Sequence, residues 1–141
     1  MRPLAIALLA AGMLALAPQG SMQMRLDGRW EIVRRHADGR FEGASVRSYH
    51  AGDVLAINLS GVGFRIYGVT GPTGGHAVIV MNNTPVKTID FFSPTKRTDV
   101  LLYASPVFPR GSYDVDLVVA PIHDAPSRGT YVNIDKVEVI P

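Results

Sequence analysis

From Val54 onward the chain alternates apolar and polar residues with a period of two, the pattern of half-buried strands. Leu55, Ile57 and Leu59 share one face of a strand over Val54 to Leu59. Val62, Phe64 and Ile66 then alternate with Gly63, Arg65 and Tyr67, and Gly71-Pro72-Thr73-Gly74-Gly75 interrupts the pattern. In the next strand Ala77, Ile79 and Met81 alternate with Val78 and Val80, so both faces are apolar, which predicts a strand covered on both sides. Asn82-Asn83 predicts a hairpin turn, because Asn tolerates positive φ. Further strands are predicted over Val86 to Phe92, Asp99 to Ala104, Ser112 to Ala120 and Thr130 to Ile140. The pattern is cleanest where Tyr113, Val115, Leu117 and Val119 face one way and Asp114 and Asp116 the other. Upstream, Trp30 to Arg34 and an irregular Phe41 to Tyr49 flank a turn at Asp38-Gly39, while Arg25 to Gly28 reads as a linker or early turn. Eight or nine short strands punctuated by Gly and Pro predict an all-β fold, a sandwich or a barrel.

The N-terminal residues break this pattern. Arg2 precedes an unbroken apolar run from Leu4 to Ala17, and Ala15-Leu16-Ala17 has the small-x-small form of a signal-peptidase site. The run is shorter than the roughly 20 residues of a spanning helix, so a signal peptide is the expectation and a membrane anchor the alternative. Cleavage falls after Ala17 or slightly later, because Pro18 directly after the cut is unfavourable. The expected division is a signal peptide over 1–23 and a sandwich domain over 24–141, exported to the periplasm or medium, with no stable membrane insertion once processed.

Composition narrows the function. The chain has 141 residues, 47% hydrophobic and 18% charged, with a formal charge of +2. Its cations are dispersed, with adjacent pairs at Arg34-Arg35 and Lys96-Arg97, unlike the dense basic stripe of a nucleic-acid binder. There is no cysteine, which excludes disulfides, thiol catalysis and cysteine-ligated zinc. No HExxH, Gly-x-Ser-x-Gly or phosphate-binding loop is present, and the expectation is a protein without catalytic activity.

Four elements carry a family resemblance. They are Gly61-Val62-Gly63-Phe64-Arg65-Ile66-Tyr67-Gly68, Gly75-His76-Ala77-Val78-Ile79-Val80-Met81-Asn82-Asn83, Pro109-Arg110-Gly111-Ser112-Tyr113-Asp114-Val115 and Ile134-Asp135-Lys136-Val137-Glu138-Val139. In order and spacing they resemble the galactose-binding-like β-sandwich of carbohydrate-binding modules, across Asp53 to Ile140, which implies an antiparallel β-sandwich of jelly-roll type. Asn82-Asn83 stands where that family usually has Asp-Gly, and Tyr113 stands near a common His. The resemblance implies non-catalytic binding of a glycan or cell-envelope polymer. The alternative is a structural or protein-interaction module of the envelope, with a partner protein and no sugar. The resemblance also implies a structural Ca²⁺ between the first and last strands, with Asp135 as ligand and Glu31 or Asp27 as its partner; otherwise Asp135 only hydrogen-bonds a neighbouring loop.

Sugar recognition needs a flat aromatic and polar groups for hydroxyls. Arg65 and Tyr67 share a strand face and are candidate contacts, or else an outer-face pair. Phe91 and Phe92 are adjacent, so one points outward, and Phe92 is the candidate; Phe108, between two prolines, is another. His123 and Asp124 in the long loop complete the set. Arg47, His50, Lys96, Arg97 and Arg128 would give a loop rim a basic character suited to acidic sugars. N-terminal sequencing of exported protein is expected to begin between Pro18 and Arg25; recovery in the membrane fraction with Met1 intact would instead indicate an anchor.

Overall fold

The computed structural model describes residues 20–34 and 44–141, so the apolar run from Leu4 to Ala17 and the Asp38-Gly39 turn lie outside the described residues, while the last residues of the expected 1–23 segment enter a strand. Ten strands are present among them. They are β1 (Ser21–Asp27), β2 (Glu31–Arg34), β3 (Ala44–Ser48), β4 (Val54–Gly61), β5 (Gly63–Thr70), β6 (His76–Met81), β7 (Thr84–Asp90), β8 (Arg97–Ala104), β9 (Gly111–Val119) and β10 (Val132–Ile140). Sheet one has the order β1-β4-β9-β6-β7 and sheet two the order β2-β3-β10-β5-β8. All strand pairings are antiparallel.

The period of two decides which side chains meet between the sheets. Leu55, Ile57 and Leu59, Ala77 and Ile79, and Val115, Leu117 and Val119 point inward from sheet one. Phe64, Ile66, Val132, Ile134 and Val137 oppose them from sheet two, and Phe91 fills one end at 0% exposure. Each large side chain buried this way stabilises the fold by about 1.5–3 kcal/mol. With no disulfide to limit the unfolded chain, this core is the main source of stability.

Two features depart from the sequence reading. Arg25 to Gly28, expected as a linker or turn, instead contains the end of β1, which pairs along its length with β4 from Ser21↔Ser60 to Asp27↔Val54. Met22 and Leu26 pack against the core from this strand. Cleavage after Ala17 leaves β1 whole, whereas cleavage just before Arg25 would remove its first four residues. Secondly, β6 is covered on one face only. Ala77 and Ile79 are buried, but Val78 and Val80 remain half-exposed on the outer face of sheet one.

Other local readings hold. Asn82 and Asn83 have φ of 49° and 69°, as a two-residue hairpin between Met81 and Thr84 requires. A bulge in β10 between Ile134 and Lys136 switches the inward face, so that both Ile134 and Asp135 are buried.

The strand registers bring the β3–β4, β5–β6, β7–β8 and β9–β10 connections to one end of the sandwich. There the Gly71–Gly75 segment runs between the two sheets. Gly71 bridges to Phe92 and Gly74 to Tyr131. Gly71 N–H donates to Phe91 O at 3.1 Å, Phe91 N–H to Gly75 O at 2.8 Å and Gly75 N–H to Tyr131 O at 2.8 Å. This seam requires glycine: a Cβ at Gly74 would lie 1.8 Å from Phe91 O. At Gly71 the nearest atom to such a Cβ is Lys96 Cα, at an ordinary 3.7 Å. Gly74→Ala is therefore expected to cost at least about 2 kcal/mol in urea unfolding, while Gly71→Ala stays within about 0.5 kcal/mol of the parent. Equal stability of the two variants would contradict the seam.

Candidate functional site

Functional side chains gather on both sides of the Gly71–Gly75 seam. On the sheet-one side, His76 opens β6 and Asp90 closes β7 as directly opposed residues. The β9–β10 loop brings Asp124 to them. His76 Nε2 lies 3.1 Å from Asp124 Oδ1 and 3.7 Å from Asp90 Oδ1. Phe92 N–H donates to Asp90 Oδ1 at 2.9 Å. His123 Nδ1 lies 2.8 Å from the carbonyl oxygen of Asp124, so that ring faces the loop backbone.

The two carboxylates perturb each other. Burial pushes the Asp90 carboxyl above the usual aspartate range, and its hydrogen bond with Asp124 adds to the rise. Asp124 is held below that range, first by the same hydrogen bond and, with smaller effect, by His76. Opposite shifts of this kind are what two neighbouring carboxyls impose on each other.

On the sheet-two side lies a groove of about 240 Å³. Its walls include Arg47, Val69, Thr70, Lys96, Tyr131 and Asn133, with the Gly71–Gly74 backbone along one edge. Asn133 Oδ1 is buried and has no hydrogen-bond partner among the described residues. A buried acceptor left unpaired costs about 1–3 kcal/mol, so its position at the groove wall is the most informative feature of this end. Arg47 is held over the Tyr131 ring, 5.3 Å from its centroid, while its Nε donates to Glu31 Oε1 at 2.7 Å. Tyr49 meets Tyr131 edge-on at 5.0 Å. The β9–β10 loop is tied to this rim by Ser127, whose buried Oγ donates to Gly74 O at 2.7 Å.

The candidates from sequence fall in different places. Arg65 and Tyr67 lie together on the outer face of β5. Arg65 pairs with Glu138 at 3.0 Å, and the Tyr67 ring carries Lys136 Nζ at 4.5 Å. Their face continues toward the groove through Val69. Phe92 is half-buried beside the seam. Phe108 packs inward against Tyr113, with centroids 4.3 Å apart, and against Phe64 at 6.4 Å. His123 and Asp124 stand at the loop end, where Asp124 meets two residues that the sequence reading did not select, His76 and Asp90.

Glu31 and Asp135, the expected calcium pair, each engage other protein groups. Glu31 is taken by Arg47. The Asp135 carboxylate accepts Ser45 Oγ at 2.6 Å and the Asp99 N–H at 3.0 Å, tying β3 and β8 to β10. Both are neutral donors, whereas a Ca²⁺ ion would take six to eight oxygen ligands. Asp27, the alternative partner, is engaged by Arg25. Among the described residues, the group with metal-ligand spacing is His76, Asp90 and Asp124.

No protein-family model matches the sequence, and no curated protein matches it. Solved structures do. A family two carbohydrate esterase from Clostridium thermocellum, solved with cellohexaose, superposes with a TM-score of 0.53 over 82% of this chain at 12% identity. A Paenibacillus xanthan lyase superposes with a TM-score of 0.56 over 82% at 16% identity. This chain spans 30% and 12% of the length of those two proteins. A CBM36 carbohydrate-binding module solved with calcium and xylotriose matches over 98% of its own length, at 16% identity and a TM-score of 0.40. That last likeness is too loose to build on. The first two establish the architecture: an antiparallel β-sandwich of jelly-roll type.

Proposed function

We propose that this protein is a non-catalytic, exported carbohydrate-binding module that takes a glycan in the groove beside Tyr131. The observation that carries the reading is the unpaired, buried Asn133 Oδ1 at the wall of that groove. A turn of the Asn133 amide into the groove lets this oxygen accept from a sugar hydroxyl. Tyr131 supplies an aromatic wall, and the exposed Lys96 supplies a cationic rim. At about 240 Å³ the groove is smaller than the ~300–1,000 Å³ of drug-sized sites, and is sized for one or two sugar units of a longer chain. Arg47 and Lys96 favour a glycan bearing carboxylates over a neutral one. The sandwich domains of carbohydrate-active enzymes that share the fold support the same ligand class.

Binding without turnover is the reading adopted. If no glycan binds, the half-exposed Val54, Val78, Val80 and Val118 on the outer face of sheet one offer the surface for a protein partner instead.

Calorimetry against neutral and uronic-acid polysaccharides tests this. Asn133→Ala is expected to weaken binding by about two- to tenfold, the worth of one hydrogen bond, while leaving the melting temperature equal or higher. Tyr131→Ala should weaken it further. Thr88→Ala, on the outer face of sheet one, should bind as the parent does. Folded protein that binds no polysaccharide, or an Asn133→Ala variant of unchanged affinity, contradicts the groove assignment.

A further inference from the structure

We infer that His76, Asp90 and Asp124 form a site for a divalent ion of the zinc or manganese kind, which clamps the β9–β10 loop onto sheet one. The inference is independent of the glycan groove. One ligand atom from each residue lies within 4.8 Å of the others, and none comes from the same element. Ligands about 2.0–2.2 Å from a shared ion stand roughly 3–4 Å apart, which is the spacing of His76 Nε2 to both carboxylates.

The arrangement is held from outside the cluster. His76 and Asp90 face each other across the β6–β7 ladder. The backbone of His76 is fixed to the loop base on both sides. Its N–H donates to Ile122 O at 3.1 Å, and its carbonyl accepts the Ala120 N–H at 3.0 Å. Phe92 N–H orients the Asp90 carboxylate, as an outer-shell donor orients a metal ligand. Ser127 N–H donates to Asp124 O at 2.9 Å and fixes the loop turn. Two acids are thus brought to one point with a single imidazole beside them, a convergence that a cation relieves.

The donor set selects the ion. An imidazole nitrogen with two carboxylate oxygens suits Zn²⁺ or Mn²⁺, whereas Ca²⁺ takes an all-oxygen shell of six to eight. His76 is mostly buried, with 18% of its side chain exposed, while Asp90 and Asp124 are 42% and 48% exposed. The site therefore opens to solvent on the carboxylate side, where water completes the coordination.

Chelator-treated full-length protein, titrated with ZnCl₂, MnCl₂ or CaCl₂ and followed by calorimetry and thermal unfolding, tests this. Zn²⁺ or Mn²⁺ at a hundredfold excess over its Kd is expected to raise the melting temperature by about 5–10 °C and to slow amide exchange across 121–127, with millimolar Ca²⁺ giving no shift. Asp124→Asn keeps the shape of an exposed loop side chain and should weaken Zn²⁺ at least about tenfold. His76→Ala should do the same, and its folding without metal is checked by the same melt. Tighter Ca²⁺ than Zn²⁺ binding, a Zn²⁺ shift undiminished in Asp124→Asn, or saturation only at millimolar metal, an adventitious ion only, each overturns the site.

Discussion

The loop end depends on a backbone-to-backbone contact that only glycine permits. Gly74 and Gly75 lie so close to Phe91 and Thr130 that any side chain on them would displace main chain. That proximity lets the Gly71–Gly75 segment bond at once to Phe91, at the end of sheet one, and to Tyr131, at the start of sheet two. The two sheets are joined between strands by packing, which is non-directional. At this end they are joined by hydrogen bonds, which fix distance and angle. Both functional clusters take their geometry from that join. Asp90 is one residue before Phe91, His76 one residue after Gly75, and Tyr131 and Asn133 follow Thr130.

The two clusters strain the chain differently. In the groove, the cost is an acceptor withdrawn from water with nothing to bond. In the acidic cluster, it is two carboxylates brought together beside one imidazole. The buried Asp135 is a contrast: it is as polar as either, but Ser45 and the Asp99 backbone satisfy it, and it reads as structural. Satisfied polar burial holds strands together, and unsatisfied polar burial points to a ligand.

Much of the sandwich was legible from alternation alone, because inward residues on β4, β5, β6 and β9 are nearly uniformly apolar. β1 was not, although Met22, Met24 and Leu26 alternate with Gln23, Arg25 and Asp27; the apolar N-terminal run drew that segment into the signal peptide and a linker. The site was less legible. Asn133 looks like any outward polar residue of a strand, and nothing in the alternation shows that its Oδ1 is closed off from water. His76 and Asp90 sit fourteen positions apart, and simple counting from the Asn82-Asn83 turn would pair His76 with Ile89. A bulge after Pro85 shifts the register by one and sets Asp90 opposite His76 instead. Asp124 arrives from a loop whose path no periodicity describes.

The central claim is that the seam presents a glycan groove on the sheet-two side. Amide chemical-shift mapping of ¹⁵N-labelled protein during titration with a uronic-acid oligosaccharide tests it most directly. Shifts centred on Val69 to Gly74, Lys96, Tyr131 and Asn133 are expected. Shifts confined to the outer face of sheet one, around Val54, Val78 and Val118, would contradict it.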